Sequence, residues 1–318
     1  MRSYLVRRLL LNIPMFFGVT FVVFFILRLA PGDPIGMLIN PDAGLTPEQL
    51  DALRRQFGFD KPLWMQYLAW LNQLVHGNLG YRTSNFDPVA QAVGERIGPT
   101  LLLMGAAFVL GTLVGVALGV FAALRQYSWL DWLLTLFAYM GVSLPGFFVG
   151  LGTLYLFALR LRWVPAGGLK TPGIPHTIGD VLHHLVLPAL ILGFGHLATV
   201  MRYTRSTMLE VLHADYVTTA KAKGLARRNV VIGHALRNAL LPVVTVLGLA
   251  IPSLLGGSII IESVFSWPGM GQLFLDGVLS RDYPVIMGIT LVTAILVLFG
   301  NLVTDLAYAY LDPCIRFE

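Results

Sequence analysis

The stretch Leu9–Leu29 reads LLLNIPMFFGVTFVVFFILRL, and Arg28 is the one charged residue in it. About 20 consecutive apolar residues are needed for a helix to cross the hydrocarbon core of a bilayer. The stretch is too long for the apolar region of a secretory signal, and no cleavage site follows it. It therefore predicts a first transmembrane helix. Arg2, Arg7 and Arg8 precede it, which favours a cytoplasmic N-terminus by the positive-inside rule.

Five more apolar runs of spanning length follow along the chain. Six spans return the C-terminus to the side of the N-terminus, so both termini of this multi-pass protein are expected in the cytoplasm. The later runs lie at Thr100–Leu124, Leu133–Leu159, Val186–Met208, Ala239–Ile261 and Val285–Tyr308.

The composition excludes several classes of function. Hydrophobic residues make up 56% of the chain and charged residues only 12%, against roughly 25% charged in soluble domains. The net charge is +5, but the basic residues lie mostly at membrane edges, which argues against nucleic acid and for contact with membrane lipid. The single cysteine, Cys314, excludes an internal disulfide and a multi-cysteine metal site. No metal site is predicted.

The segment 30–98 is polar enough to lie outside the bilayer, on the extracytoplasmic side, and it predicts two helices. The first begins at Thr46, where Pro47 and Gln49 complete a capping box, and Gly58 is suited to end it. The second covers Pro62–His76, whose apolar residues recur at helical spacing.

Two features inside the predicted spans bear on packing and transport. Gly111, Gly115 and Gly119 lie four residues apart and predict a face for close helix packing, although glycine is also generally frequent in membrane helices. Ser143 and Pro145 interrupt the third span, so a kink is expected there. Such breaks often line transport paths. Met140, Ser143 and Pro145 are therefore candidate lining residues, with a purely structural kink as the alternative.

The basic loop between the fourth and fifth spans, about 209–238, contains the segment 213–225, HADYVTTAKAKGL. Gly224 is suited to end a helix in the left-handed conformation. Lys221 and Lys223 then lie in the last turn, where the helix dipole favours cations. Ala220 is expected to give this helix a shallow face that enters a groove of a partner. The alternative is a basic surface held by anionic lipid headgroups.

This loop resembles the EAA loop of binding-protein-dependent ABC importer permeases of the dipeptide, oligopeptide and nickel branch. Ala220, Gly224 and the pair Leu241-Pro242 match the family pattern, whereas Thr218-Thr219 stands where the family often has Glu-Ala. The resemblance implies a loop that couples the chain to an ATPase. The residues implied in this coupling are Asp215, Thr219, Ala220, Lys223, Gly224 and Leu225.

The resemblance extends over nearly the whole chain. It includes 29–34 (LAPGDP), 60–63 (DKPL) and, more weakly, 77–82 (GNLGYR). Near the other end, 262–271 (ESVFSWPGMG) and 281–284 (RDYP) resemble the external loop before the last span. The residues that carry this last match are Glu262, Phe265, Pro268, Gly269, Gly271 and Asp282.

The resemblance implies an all-α membrane protein of the ABC type I importer permease fold. It implies residues 1–29 as the N-terminus and first span, 30–98 as an extracytoplasmic helical insertion, and 99–318 as the permease core. The chain would form half of a pore for di- or oligopeptides. Its implied partners are a second homologous permease subunit, two cytoplasmic ABC ATPases and an extracytoplasmic solute-binding protein.

Catalysis is not expected in this chain. It contains no Gly-Lys dipeptide, so the phosphate-binding Walker loop is absent. No cofactor is expected, since ATP and magnesium would be bound by the ATPases. The segments Gly141-Val142-Ser143 and Gly256-Gly257-Ser258 match the first half of the Gly-x-Ser-x-Gly motif of a hydrolase, but neither completes it.

Two transport alternatives remain. A nickel or other small-solute importer permease of the same family is one, although adjacent His183 and His184 point to different helix faces and His196 is isolated. A self-powered secondary transporter is the other, with Glu262 and Asp305 as the few candidate ion-binding residues.

Overall fold

A computed structural model describes residues 2–29, 46–56, 58, 60–173, 175 and 177–311. Of the motif at 29–34, only Leu29 is among these residues, and Cys314 also lies outside them. The regular structure of the described chain is almost entirely helical. In chain order the helices are α1 (Arg2–Leu29), α2 (Pro47–Gln56), α3 (Leu63–Val75), α4 (Val89–Leu124), α5 (Trp129–Ser143), α6 (Gly146–Thr153), α7 (Ile178–Leu212), α8 (Asp215–Ala222), α9 (Arg237–Val264), α10 (Met270–Ser280) and α11 (Tyr283–Leu311).

Two π-helical stretches accompany this set. Leu154–Arg160 continues α6, and Val230–Leu236 leads into α9 after the short turn Arg227–Asn229. Such wide turns are rare and frequently mark functional sites. Here one ends the interrupted third span, and the other joins the loop after α8 to the next span.

Five of the described helices are long and apolar enough to cross a membrane, and a bent pair of helices supplies a sixth crossing segment. The six predicted spans fall on these segments, so the all-helical membrane fold is confirmed. The segments are Leu10–Leu29, Val89–Leu124, Ile178–Leu212, Arg227–Pro252, Tyr283–Leu306 and the pair Trp129–Ser143 with Gly146–Arg160.

The third span is broken more sharply than a simple kink. The axes of its two halves differ by 107°. Leu144, at the break, has an extended backbone (φ −86°, ψ 132°), as expected for a residue that precedes proline. Pro145 then caps the start of α6. The break therefore follows from the sequence Leu144-Pro145.

The two ends of the broken span lie beside positions that are far apart on α7. Its start is bonded to Arg205, near the end of α7, through Asp131. The loop that follows it, at Gly167, reaches His184, near the start of α7. These two positions on α7 are about 30 Å apart at a helical rise of ~1.5 Å per residue, which equals the thickness of the hydrocarbon core.

The glycines Gly111, Gly115 and Gly119 of α4 face α7. A Cβ added to any of them would lie 2.7–2.9 Å from an atom of α7, and for Gly115 and Gly119 that atom is a backbone carbonyl oxygen. The reverse contact occurs at Gly193 of α7, where a Cβ would lie 2.8 Å from the Ala107 carbonyl oxygen. The two backbones thus approach closely along this face, which only glycine permits.

The chain divides into two compact units, the first comprising residues up to 97 with 273–296 and the second comprising 98–272 with the residues from 297 onward. In the first unit α3 packs on α1. The Tyr67 hydroxyl lies 3.0 Å from the Thr20 hydroxyl, and the Tyr67 ring contacts Phe24 and Trp70 at centroid distances of 5.4 and 6.1 Å. The amphipathic helix predicted at 62–76 is thereby attached to the first span.

The other predicted helix of the external segment also forms. The Thr46 side chain accepts a hydrogen bond from the Gln49 backbone, and the Gln49 side chain accepts one from the Thr46 backbone. This reciprocal pair is the capping box that the sequence predicts. Gly58 follows with φ +71°, in the left-handed region.

We predict that Gly115→Ala lowers the thermal stability of the purified protein, because the added methyl group meets the Leu197 carbonyl oxygen and overpacking costs about 1–3 kcal/mol. The matched control is Gly105→Ala in the same helix, since nothing lies within 4 Å of the added atom there. Unfolding midpoints in detergent micelles measure both. Equal midpoints for the two variants would contradict the close packing of α4 on α7.

Candidate functional site

Two residues separate the helix α8 from α7, and α8 ends at Ala222, just before Gly224. Gly224 has φ +77°, the left-handed conformation that the sequence predicts. The amide of Leu225 bonds to the Ala220 carbonyl at 3.4 Å, and the amide of Lys223 bonds to the Thr219 carbonyl at 3.0 Å. This six-to-one closure is that of a Schellman C-cap, which favours glycine at the left-handed position.

One face of α8 packs into the protein. Val217 is fully buried, Ala220 is 8% exposed, and both contact the buried Val230 of the π-helical stretch and the partly buried Val211 of α7. The small side chain of Ala220 therefore faces inward. The expectation that Ala220 presents a shallow face to a partner is wrong, because these valines already cover it.

The other face of α8 is open. Of the six residues implied in ATPase coupling, the remaining five are exposed and are here called the docking patch. Tyr216 beside them accepts a hydrogen bond from the Asn238 side chain at 2.9 Å, which ties α8 to the start of α9. The exposed members are Asp215, Thr219, Lys223, Gly224 and Leu225.

Two arginines near the end of α7, Arg202 and Arg205, contact side chains of α5. Arg202 lies over the ring of Tyr139, with its guanidinium carbon 5.1 Å from the ring centroid. Arg205 forms a two-bond ion pair with Asp131, at 2.6 Å (Nε to Oδ1) and 2.7 Å (Nη2 to Oδ2). Lys223, Arg227 and Arg228, which follow α8, are exposed cations of the loop.

A cavity of about 770 Å³ opens between the broken span, α7 and α9. This volume is within the range of small-ligand sites. Its walls are mostly apolar, and the polar side chains among the described lining residues are His196, Thr199 and Tyr203, all on one face of α7. No charged side chain is among the lining residues that the structure describes.

Of the three candidate lining residues, Pro145 lies in the cavity wall. Met140 and Ser143 are exposed but are not among the residues that line this cavity, so their place on the transport path stays a prediction. The break at Leu144 turns the chain, and the wall is formed by Gly141, Val142 and the residues from Leu144 onward. Pro145 has no N–H to donate to the Gly141 carbonyl, which lies at this wall.

The three histidines considered as metal ligands each bond within the protein. His196 lies 2.9 Å from the Thr112 hydroxyl and stacks on Phe108. His183 bonds to the carbonyl of Trp163, and His184 to that of Gly167. Among the described residues, no group of three or more His, Cys, Asp or Glu side chains is placed to hold a metal ion.

Glu262 is the centre of the external loop motif. It is fully buried, and its carboxylate accepts hydrogen bonds from Thr100 Oγ1 (2.8 Å), the amide of Gly271 (2.6 Å) and the amide of Gln272 (3.1 Å). Thr100 Oγ1 in turn accepts a bond from the amide of Met270 at 2.8 Å. A buried charge is stable only when it is bonded in this way. The Glu262 carboxylate is therefore satisfied by Thr100 and the loop amides rather than by solvent.

The other residues of the motif shape the loop around this carboxylate. A side chain at Gly269 or Gly271 would collide with the Glu262 carboxylate. Phe265 is buried, and its carbonyl accepts a bond from the amide of Gly168 at 2.9 Å. Pro268 is half-buried. Glycine at 269 and 271 is thus required by close approach rather than by backbone conformation.

Asp282, the last residue of the motif, belongs to the first unit and not to the Glu262 cluster. It is 1% exposed and accepts bonds from the amides of Thr83 (3.0 Å) and Val285 (3.4 Å). Its own amide bonds to the Gly277 carbonyl at 2.8 Å. Asp282 therefore ends α10, caps α11 and holds the segment before α4.

Sequence reasoning missed Thr100 and the Asp131–Arg205 pair. A local signal for the start of α5 exists, since Ser128 accepts a bond from the amide of Asp131 at 3.2 Å, as an N-cap serine should. Nothing local indicates that Asp131 pairs with α7, or that Thr100 bonds to Glu262.

These features define a polytopic, all-helical membrane transport subunit, with a broken span beside a cavity and an exposed short helix suited to docking. The comparisons with known proteins agree. Residues 115–317 match the family described as binding-protein-dependent transport system inner membrane component, and residues 1–95 match the N-terminal component of the same systems. The chain belongs to this family of transport permease subunits.

Relatives match over the full length of the chain. A protein of Brucella suis biovar 1 (strain 1330) that is provisionally named a peptide permease is 50% identical, with 99% of each chain covered. The oligopeptide transport system permease protein AppB of Bacillus subtilis (strain 168) is 41% identical, with 100% of each covered.

The fold itself is similar to that of a solved ABC transporter. A chain of the MetNI methionine ABC transporter, in an inward-facing conformation, matches with a TM-score of 0.58 and 16% identity, covering 70% of this chain and 97% of that one. The type I importer permease fold is thereby confirmed. At this identity the likeness concerns the fold alone.

We predict that Glu262→Gln destabilises the external loop. Oε1 of Glu262 accepts a bond from the Thr100 hydroxyl and Oε2 accepts bonds from two loop amides, and a side-chain amide cannot accept at both of its ends. A buried donor or acceptor left without its partner costs about 1–3 kcal/mol. Hydrogen exchange at the amides of 269–272 should speed up, and the unfolding midpoint should fall. Asp276→Asn, at an exposed position of α10, is the control. Unchanged exchange in Glu262→Gln would refute the role of the carboxylate.

Proposed function

We propose that this chain forms half of the translocation pathway of an ATP-driven importer of short peptides in a bacterial inner membrane. The observation that carries the ATP-driven mechanism is the exposed patch of α8, joined by two residues to the helix α7 that borders the cavity. The peptide cargo rests on the names of relatives that match the whole chain.

The other half of the pathway comes from a second, homologous permease subunit. The broken span, α7 and α9 form one open wall of the cavity. A second wall of the same fold would close it. Large apolar side chains at the cavity are exposed in the isolated chain, which supports a covering subunit. Val142, Phe147 and Leu249 are 51%, 47% and 73% exposed.

The energy comes from two cytoplasmic ABC ATPases, and an extracytoplasmic binding protein delivers the cargo. The ATPases bind ATP and magnesium, because this chain lacks the Walker loop. The exposed residues of α8 contact one ATPase. The positive-inside rule supports a cytoplasmic location for α8 and for both termini, since Lys223, Arg227 and Arg228 are exposed beside it.

Transport then proceeds by alternating access. When the ATPases close, α8 moves with them, and the helices that border the cavity change their tilt. Such coupling requires that α8 contact the ATPase differently in the two states, because an equal contact shifts no equilibrium. The cavity has neutral walls among its described residues, so a peptide passes without a strong charge pair to hold it.

The test is uptake by vesicles that contain this chain, its partner permease, both ATPases and the binding protein. We expect labelled di- to pentapeptides to accumulate only when ATP is supplied on the side of the membrane that carries α8. Labelled Ni²⁺ in parallel vesicles tests the nickel alternative. Peptide uptake that follows a proton gradient without ATPases would overturn the proposal, as would uptake of Ni²⁺ but not of peptides.

We predict that Gly224→Val abolishes peptide uptake while leaving membrane insertion intact. A β-branched residue is poorly tolerated at φ +77°, so the C-cap of α8 is lost and the docking patch is misplaced. Open space surrounds the position, so the defect is conformational rather than steric. Gly224→Asn is the matched control, because asparagine accepts the left-handed conformation and should retain most uptake. Wild-type uptake by Gly224→Val would contradict the role of this cap.

A further inference from the structure

The ion pair between Asp131 and Arg205 joins the first residues of the broken span to the end of α7. Two nearly parallel bonds of 2.6 and 2.7 Å connect the guanidinium to the carboxylate. Asp131 is 3% exposed, and its carboxylate also accepts a bond from the amide of Tyr127 at 3.1 Å. The planar fork of arginine fixes both distance and orientation, which a lysine cannot do.

The pair lies at the end of a continuous contact between α5 and α7. Above it, the guanidinium of Arg202 covers the ring of Tyr139, and the buried Ala138 packs with Met201. Further along, a Cβ on Gly141 would lie 2.8 Å from the Cβ of Ala198. The half-span α5 is thus fastened to α7 from its first turn to the break.

The same end of α7 carries the docking helix. α7 ends at Leu212 and α8 begins at Asp215, and the amides of His213 and Ala214 continue the helical bonds to Glu210 and Val211. Arg205 is therefore two turns of helix before the start of the loop that bears the docking patch. The other end of α5 enters the cavity wall at Gly141 and Val142.

A buried ion pair is weak evidence for stability, because desolvation offsets most of the attraction between the charges. Its value here is geometric. It lies where a displacement of α8 first reaches the broken span, and it holds two helices at a fixed distance and orientation.

We propose that Asp131 and Arg205 are positioning residues that transmit the displacement of α8 to the broken span and so to the cavity. The proposal rests on the proposed function for its motor, but it concerns neither the cargo nor the docking patch. Loss of the fork would leave ATP hydrolysis running on the partner subunits while the cavity no longer follows it.

The test uses the complete transporter in vesicles, with Arg205→Lys as the main variant, since it keeps the charge and the fold but loses the two-bond geometry. Asp131→Asn is the second variant. We expect peptide transported per ATP hydrolysed to fall about tenfold, within the usual range of coupling between sites. Arg125→Lys is the control, because Arg125 directly follows α4, lies over the ring of Phe121 in that helix and is exposed.

A second readout needs no cargo. In a Cys314→Ser background, Val142→Cys places one thiol in the cavity wall, where the side chain is 51% exposed. Its rate of reaction with a water-soluble maleimide is compared between the nucleotide-free and the vanadate-trapped transporter. We expect the nucleotide-dependent change in this rate to disappear with Arg205→Lys and to persist with Arg125→Lys.

The outcomes separate the two claims. An unchanged ratio of peptide to ATP together with a normal labelling change in Arg205→Lys would overturn the positioning role. A parallel fall of uptake and ATP hydrolysis, with the labelling change preserved, would overturn it as well. A wild-type transporter that moves no peptide but shows a labelling change lost in Arg205→Lys would reject the peptide cargo and support the positioning role.

Discussion

The close backbone approach along α7 is the constraint on which the second unit depends. Apolar side chains gain little by moving from lipid to a helix interface, so helices in a bilayer associate through tight van der Waals packing. α4 brings three glycines to this surface, α5 brings Gly141, and α7 itself contributes Gly193. Each position admits no Cβ without displacement of backbone or side-chain atoms. The broken span can stay in place despite its 107° turn because both of its halves follow α7.

Polar groups are placed at the two ends of this packed core, and each is bonded. Glu262 organises one end through Thr100 and the loop amides, and the Asp131–Arg205 pair fixes the other. A carboxylate is too costly to bury without such partners. At both ends the bonds join segments that are distant in sequence, separated by 162 residues for Thr100 and Glu262 and by 74 for Asp131 and Arg205. Packing thus fixes the middle of the core, and hydrogen bonds fix its ends.

Local patterns in the sequence were sufficient for features that a single helix determines. The apolar runs predicted the spans, and Gly224 predicted the end of α8. Thr46 and Gln49 predicted a capping box, and Pro145 predicted the break in the third span. Features that depend on a neighbouring segment could not be predicted from the local sequence. The inward face of α8 depends on Val230, which follows in the next segment, so Ala220 was placed on the wrong side. The cavity wall depends on the direction of the chain after Leu144, and Pro145, but neither Met140 nor Ser143, is among its lining residues.

The division of α7 into two functional parts explains why one helix carries so many constraints. Residues 191–203 contribute to the cavity, whereas Arg205 and the residues that follow lead to α8. A helix with all backbone bonds inside the segment is stiff over this distance, so a displacement at one part is carried to the other without a separate device. The broken span, in contrast, is stiff only within each half. It must be fastened to α7 near the docking helix if its cavity-facing residues are to move with α7, and the Asp131–Arg205 pair lies where that fastening is needed.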